Sequence, residues 1–464
     1  MGPGQTYSSI QSAVDSASPG DLISVGEGTF DENVLLNKQL TLEGMGKDKT
    51  IIRGNQTTDV VTITADDCTV TGFTITGSSK VYWPTYDAGI KIRSHSNTIK
   101  DCNCTGNQFG ITVFFYFDNN TIEDCICCYN SRAGIFILNS QSTVVEDCEC
   151  FNNKNEDGIH LSGTENAITR GCECYDNKYG ISMHGCKTPG NLIEDCSFHH
   201  NSVGIHLPYE TGAIIRDCTS NRNGGGIYMD DYGHSNTIEG SSFTHNTNYG
   251  MRLEASEDNT ITGCYIKHNG GVGLEMLFWK DTSDEGGDGR SGGTRAPSAP
   301  FWPYLGCDRN EITQNVFEDN DGYAIDIDWY NYKNLIHGNQ FIDNNHGRTQ
   351  AFDNGSQNDW NTSSKGNYWS DWTWPDLDLN GIVDDPYELD GASGAKDHYP
   401  LTFSGSTEEG VWGFLSRYRC RAVALLLAIV GFVILAVIII RVIRKKKKGK
   451  NGNGESRDER IENI

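Results

Sequence analysis

NTIEDCICCYN, residues 120–130, is one phrase of a theme restated along most of the chain. NTIKDCNCTGN at 97–107, TVVEDCECFNN at 143–153 and NLIEDCSFHHN at 191–201 are its variants. A cysteine returns at one phase: Cys102, Cys125, Cys148, Cys172, Cys196, Cys218 and Cys264, with Ser241 in the single gap. An asparagine follows five positions later, at Asn107, Asn130, Asn153, Asn177, Asn201, Asn223, Asn246 and Asn269, and again at Asn320 and Asn344. A second phrase, Gly-apolar-x-apolar, keeps step at Gly89, Gly110, Gly134, Gly158, Gly180, Gly204, Gly226, Gly250 and Gly273, and AIDI at 324–327 continues it. Self-similarity at a fixed period marks a repeat architecture.

These units alternate every two residues and are broken by Gly, Asn and Asp, which means short strands joined by tight turns rather than helices. A unit of this length is one turn of a parallel β-solenoid. Its rungs stack about 4.8 Å apart, so equivalent residues of successive turns lie over one another. The apolar residues of each Gly phrase then point inward. So do both cysteines of each CxC, the second column running Cys104, Cys127, Cys150, Cys174, Phe198 and Phe243. Cysteine is small, polarizable and readily buried, which suits a narrow core. The asparagines fit a turn where amides bond along the stack and to the backbone. The rival reading makes the CxC pairs copper or zinc ligands. However, the pattern slides to Cys-Ser-Phe at 196–198 and Ser-Ser-Phe at 241–243, which a ligand set does not tolerate. Cysteines placed by packing favour free thiols, although an oxidising exterior permits disulfides.

The net charge of −25 is unevenly spread. Residues 1–410 carry 25 Lys+Arg against 58 Asp+Glu, and residues 411–464 carry 12 against 4, so the body is at −33 and the tail at +8. A body this acidic excludes a phosphate-binding, nucleic-acid role. AVALLLAIVGFVILAVIII at 422–440 is long enough to cross a bilayer as a helix. The RVIRKKKKGK that follows belongs on the cytoplasmic side, so the body is expected to face outward. Such a protein needs a secretion signal, and MGPGQTYSSIQSAV opens with no apolar stretch.

The expected organisation is an N-terminal cap with lead-in strands at 1–60, an array at 61–365 interrupted at 278–306, an aromatic and acidic cap at 366–401, and a linker at 402–419. A transmembrane helix at 420–443 and a basic cytoplasmic tail at 444–464 complete it. Ser8 with Gln11 reads as a capping box for a short helix bearing Ile10, Ala13, Val14 and Ala17, which lids the first coil. At the other end, DLDLNGIVDDPY places Asp376, Asp378, Asn380, Ile382 (through its carbonyl) and Asp384 in the order of an EF-hand-like Ca2+ loop. Tyr387 stands where the bidentate glutamate belongs. A solvated acidic turn is the alternative.

The opening GPGQTYSSIQSAV…IIRG, the repeated NTIEDC coils and the closing GNYWSDW…DLDLNGIVDDPY…YPL resemble the NosD-type right-handed parallel β-helix proteins, most nearly their archaeal cell-surface members. The likeness covers about residues 3–401. It implies an all-β fold: a right-handed parallel β-helix of about twelve coils with an N-terminal helical cap, followed here by one C-terminal transmembrane helix. It also implies a surface protein related to polysaccharide binding, lysis, hydrolysis or epimerisation. The copper association of the family name finds no histidine–methionine cluster in this sequence.

On a solenoid the binding surface is an outward-facing column. The x of each Gly phrase gives Lys91, Thr112, Phe136, His160, Ser182, His206, Tyr228, Arg252, Glu275 and Asp326. Two residues further on lies a second column containing His184, Asp230 and Glu254. Asp230 and Glu254 fall on adjacent rungs, the arrangement of a retaining glycosidase pair, with His206 or His184 near enough to move protons. His160, Tyr228, Arg252, Glu275 and Asp326 would contact the sugar. Trp279, Trp302 and Tyr304, at the two ends of the interruption, would fold over the column as an aromatic flap. A merely solvated face and a tolerated surface excursion are the alternatives. The expected partner is a polysaccharide or glycoprotein at the cell surface, with attachment to the membrane through 420–443.

Overall fold

The computed structural model describes residues 7–81, 86–153, 155–186, 190–280, 304–372 and 375–402, with only the backbone described at 279, 280 and 304. Every turn of the chain gives one short strand to each of three parallel sheets. The first sheet runs through thirteen strands from Leu22–Val25 to Leu335–His337, the second through fourteen from Gly28–Asp31 to Tyr368–Trp369, and the third through thirteen from Val34–Leu36 to Ala351–Asp353. The crossovers take the right hand expected of parallel strands. There are thus thirteen turns, not about twelve. The first two, Leu22 to Leu36 and Thr41 to Ile63, and the last, Leu335 to Asp353, lack the glycine and cysteine phrases that marked the others.

The transmembrane helix expected of this fold is also corrected. Among the described residues no helix is long and apolar enough to cross a membrane, and the one α-helix, α1 (Ile10–Ser16), has seven residues. The segment 420–443, with the linker and basic tail around it, lies outside the described residues.

The core is a set of vertical lines. Cys104 pairs in register with Cys127, Cys127 with Cys150, Cys150 with Cys174 and Cys174 with Phe198. Each is fully buried, as are Cys102 and Cys125 in the neighbouring column. The fifteen described cysteines are all buried free thiols. Those of the corner column spend their protons on backbone carbonyls, as when Cys125 Sγ donates to Glu123 O at 3.2 Å. A thiol so placed satisfies a turn carbonyl while adding little volume.

The asparagine column is a continuous ladder. Each buried Asn accepts the backbone N–H of its predecessor on its Oδ1: Asn107 N on Asn130 at 3.0 Å, Asn130 N on Asn153 at 3.0 Å, and so on to Asn320 N on Asn344 at 3.2 Å. The Nδ2 groups donate to carbonyls inside the turn, Asn153 to Cys127 O at 3.0 Å. Two further ladders occupy the other corners, one through Asn236, Asn259, Asn310 and Asn334, the other through Asn315, Asn339 and Asn367. Glycine recurs beside the first ladder for a steric reason. A Cβ on Gly110 would sit 2.4 Å from Gly134 O and 3.0 Å from Asn130 Nδ2.

Both ends are closed. The cap of α1 is Ser9 with Ser12, not Ser8 with Gln11. The Glu32 carboxylate accepts the N–H groups of Ile10 and Gln11 at 2.8 and 2.9 Å, and Lys38 Nζ donates to the carbonyls of Val14, Asp15 and Ala17. An anion at the helix start and a cation at its end each oppose the backbone dipole favourably. At the far end Trp369 stacks on Tyr387 with ring centroids 3.9 Å apart, and its Nε1 donates to the buried Asp397 carboxylate at 2.9 Å. The second sheet therefore ends in rings whose polar atoms are satisfied, with the Tyr387 hydroxyl donating to Asp371 at 2.9 Å.

Candidate functional site

The outward column of the third sheet is continuous. Lys91 pairs with Thr112, Thr112 with Phe136, Phe136 with His160, His160 with Ser182 and Ser182 with His206. His206 then pairs with Tyr228, Tyr228 with Arg252, Arg252 with Glu275 and Glu275 with Asp326. A solvated face would leave these side chains open. Here Lys91, Thr112 and Ser182 are buried, and the others from His160 to Asp326 are half-buried. A row from the residue preceding each glycine leans over them.

That row supplies partners. Asp157 holds His160 Nδ1 at 2.5 Å, Tyr179 lies against the His206 ring at 4.3 Å, and Tyr249 lies beneath the Arg252 guanidinium at 4.2 Å. Strict alternation carried through the glycine would turn these residues inward. The chain bends at the glycine, so they face out. A phase count beginning one residue earlier would have exposed Asp157, Tyr179, Tyr249 and Tyr323 as a set.

At the centre, the Tyr228 hydroxyl donates to Glu254 Oε2 at 2.6 Å, and its ring stacks on His206 with centroids 5.4 Å apart. His206 Nε2 lies 3.3 Å from Asp230 Oδ1. The His206 Nδ1 is buried and makes no hydrogen bond among the described residues. Asp230 and Glu254 lie on neighbouring rungs, tied through Tyr228 and His206. His184 belongs to the other outward column, its ring edge-on to Tyr209 at 5.7 Å. On the next rungs Arg252 grips Glu275 with Nε and Nη2, both at 2.7 Å.

The electrostatics follow from burial among like charges. Burial pushes the Glu254 carboxyl up; the hydroxyl of Tyr228 opposes the rise and the Asp230 charge adds to it. Asp231 is pushed up to about 6 by burial, then by Asp230 and Glu254. Asp326 is also pushed up to about 6, by burial and then by Glu275 and Asp328. Tyr228 is raised by burial and by both carboxylates beside it. Burial lowers His184, and His160 and His206 lower it further. Carboxyls raised toward neutrality are equipped for acid–base work.

The flap residues are not brought to the column by anything described. Trp302 lies outside the described residues, and for Trp279 and Tyr304 only the backbone is described. That backbone forms an antiparallel pair, Trp279–Lys280 with Tyr304–Leu305, at the base of the interruption. In the closing cap, the Asp376 carboxylate accepts the N–H groups of Asn380 and Gly381, and Asp384 accepts that of Leu377.

Comparison with known proteins places this architecture. Residues 117–284 and 304–373, about half the chain, match the family described as periplasmic copper-binding protein (NosD). The chain belongs to the NosD family. Residues 12–155 also match a right-handed β-helix region. A cell surface glycoprotein of Methanothermus fervidus is 32% identical over 108 residues, which is 23% of this chain and 18% of that protein. This chain therefore spans only a small part of that curated relative. Among solved structures, the catalytic domain of a GH87 alpha-1,3-glucanase bound to nigerose is similar at a TM-score of 0.53 and 12% identity, covering 69% of this chain and 64% of that one. Tailspike protein 3 of bacteriophage CBA120 is similar at a TM-score of 0.50 and 13% identity, covering 84% and 65%. At these identities the likeness is one of fold.

The NosD name implies copper, and the residues present do not fit it. The described cysteines are committed to the dry core, and Met183, Met229, Met251 and Met276 are fully buried in the inward column. Among the described residues no three His, Cys, Asp or Glu side chains converge as ligands. Soft donors that face the core offer copper no accessible site.

Proposed function

We propose that this NosD-family protein works at the cell surface, where the outward face of its third sheet recognises a polysaccharide laid along the solenoid axis. One observation carries the reading. From His160 to Asp326, histidine, tyrosine, arginine and carboxylate side chains of successive rungs share one half-buried line and hold one another in place. An ordered polar strip with aromatic faces is what a glycan needs, because it offers hydrogen bonds and flat apolar contact at low ordering cost. The surface relative and the nigerose-bound β-helix support the same direction. An adhesive or scaffolding role at the envelope would use the same face without turnover.

A second reading is favoured by one site on that face. Asp230 and Glu254, joined through Tyr228 and His206, are arranged for hydrolysis, lysis or epimerisation of the bound chain, with Glu254 in the proton-donating role that its raised carboxyl permits. Screening the protein against a glycan panel for both retention and product release separates the two. Retention without products, unchanged in D230N and E254Q, supports recognition alone. Products that vanish in either variant support catalysis. Neither retention nor products refutes both. In the closing cap the carboxylates of Asp376 and Asp384 accept N–H groups of their own loop, so Asp376, Asp378, Asn380, Ile382 and Asp384 would hold a stabilising Ca2+ only by turning toward a common centre. Chelation that leaves thermal unfolding unchanged counts against the ion.

A further inference from the structure

The turn that leads from the third sheet back to the first takes a left-handed residue on rung after rung. The residue after the strand is Phe115, Asn139, Gly163, Gly185, Tyr209, Asp231 and Ala255, with φ of 59, 50, 60, 66, 54, 51 and 48°. The N–H of each of the first five bonds to the next rung at the same place, as in Tyr209 N to Asp230 O at 3.3 Å. Glycine and asparagine occupy such backbone cheaply, and a bulky ring does so only at a cost. Aromatic residues nevertheless stand at or beside this turn at Phe115, Tyr116, Tyr209, Tyr232 and Tyr330, all with positive φ. Phe115, Tyr116 and Tyr330 are exposed and Tyr209 and Tyr232 half-buried, while on the turn of Tyr330 the rings of Trp329 and Tyr332 are 50% and 37% exposed. Tyr209 and Tyr232 stack at 6.3 Å, and Trp329 and Tyr332 follow three rungs below Tyr232. From Tyr209 to Trp329 is four rung spacings, about 19 Å.

Beside this row of rings runs a line of carboxyls that no cation neutralises. Arg252 is spent on Glu275, and no cation pairs with Asp231, Glu254, Asp326 or Asp328 among the described residues. A polyuronate lying here would set its carboxylates against carboxyls already crowded by burial and by one another.

We propose that Tyr209, Tyr232, Trp329 and Tyr332 form a stacking rail for a pyranose chain several sugars long that carries no acidic groups. The ring faces of the chain rest on the aromatics while its hydroxyls bond to Asp230, Glu254, Asp326 and Asp328. This rests on the polysaccharide-recognition reading and narrows it to neutral glycans, with amino sugars the best fit to the charge. Because the rail is long, affinity rises with chain length until both ends are engaged.

The test uses the full chain, with neutral oligosaccharides of increasing length, a glucosamine oligomer and an oligouronate, each with and without added Ca2+. Expected are retention that grows with length, tighter binding of the glucosamine oligomer, and none of the uronate. Y209A and W329A should each weaken binding by roughly fivefold or more without moving the unfolding midpoint. The D326N/D328N double variant should erase the preference for the amino sugar, which checks the charge independently of the rings. If the uronate binds as well as the neutral chain, with or without the ion, the glycan class is wrong and the surface stands. If Y209A and W329A bind like the parent, the rail is wrong. If nothing binds, the underlying recognition reading falls with it.

Discussion

Replacing Asn153 by alanine tests the ladder that fixes the corner between the second and third sheets. Asn153 is fully buried. Its Oδ1 accepts the Asn130 N–H at 3.0 Å and the Asn130 Nδ2 at 3.1 Å, and its Nδ2 donates to Cys127 O at 3.0 Å and Asn177 Oδ1 at 3.2 Å. Truncation orphans the Asn130 N–H in a dry corner, at about 1–3 kcal/mol. The remaining bonds add about 1 kcal/mol each where their partners cannot re-pair. The expected total is about 3–5 kcal/mol, large against the stability of an ordinary domain. Urea unfolding of N153A beside the parent reads the sum. Amide exchange reads the mechanism, because Asn130 alone loses its acceptor and should exchange at least about tenfold faster under native conditions. A loss below about 0.5 kcal/mol with Asn130 still protected would show that the amide stack is decoration and that the cysteine columns alone hold the turn.

Three further outcomes follow from the same geometry. Y228F removes the hydroxyl whose hydrogen bond opposes the rise of the Glu254 carboxyl, so that carboxyl should titrate higher still in a carbon-detected NMR titration; an unchanged or lower midpoint contradicts the contact. Glu210 is fully buried, and burial pushes its carboxyl from 4.5 up to about 7. The folded state therefore favours the protonated form. Its contribution to stability is complete below pH 4.5 and is lost as pH climbs through about 7, and E210Q should remove that part of the slope in urea midpoints. The fifteen described thiols should resist alkylation in the native protein and react fully in urea, as mapped by peptide mass, with Cys186, Cys264 and Cys307 additionally suppressed by burial that pushes each up to about 12. Labelling of any of them without unfolding would mean the columns are not dry.

Most of the solenoid was legible because each turn repeats the same steric problem and solves it with the same residues. Cys104 over Cys127 over Cys150, and Asn130 over Asn153, follow from period alone. The turn at Leu22–Leu36 was missed as a full coil because it packs Val25, Val34 and Leu36 where later turns use cysteine and glycine. The helix cap slipped by one residue because Ser8 and Ser9 are equivalent to a spacing argument. Only the direction of the backbone at Ser9, extended with φ −142° and ψ 156°, chooses between them. The polar face was legible in its column and illegible in its supports. Asp157, Tyr179 and Tyr249 point outward because the chain bends at glycine, and no alternation rule registers a bend. The burial that raises Glu254 and Asp231 exists only once successive rungs are stacked, so their shifts could not be read before the fold.

The register on either side of residues 278–306 has one last implication. Leu274, Glu275 and Met276 bond to Ile325, Asp326 and Ile327 as directly as any other neighbouring rungs, although some fifty positions separate them where two dozen is the norm. Material spliced into that bend changes neither pitch nor phase, so the rod is indifferent to how much chain leaves and returns there. A lineage can thus lengthen or shorten the chain at that bend without renegotiating the pairing of the rungs on either side.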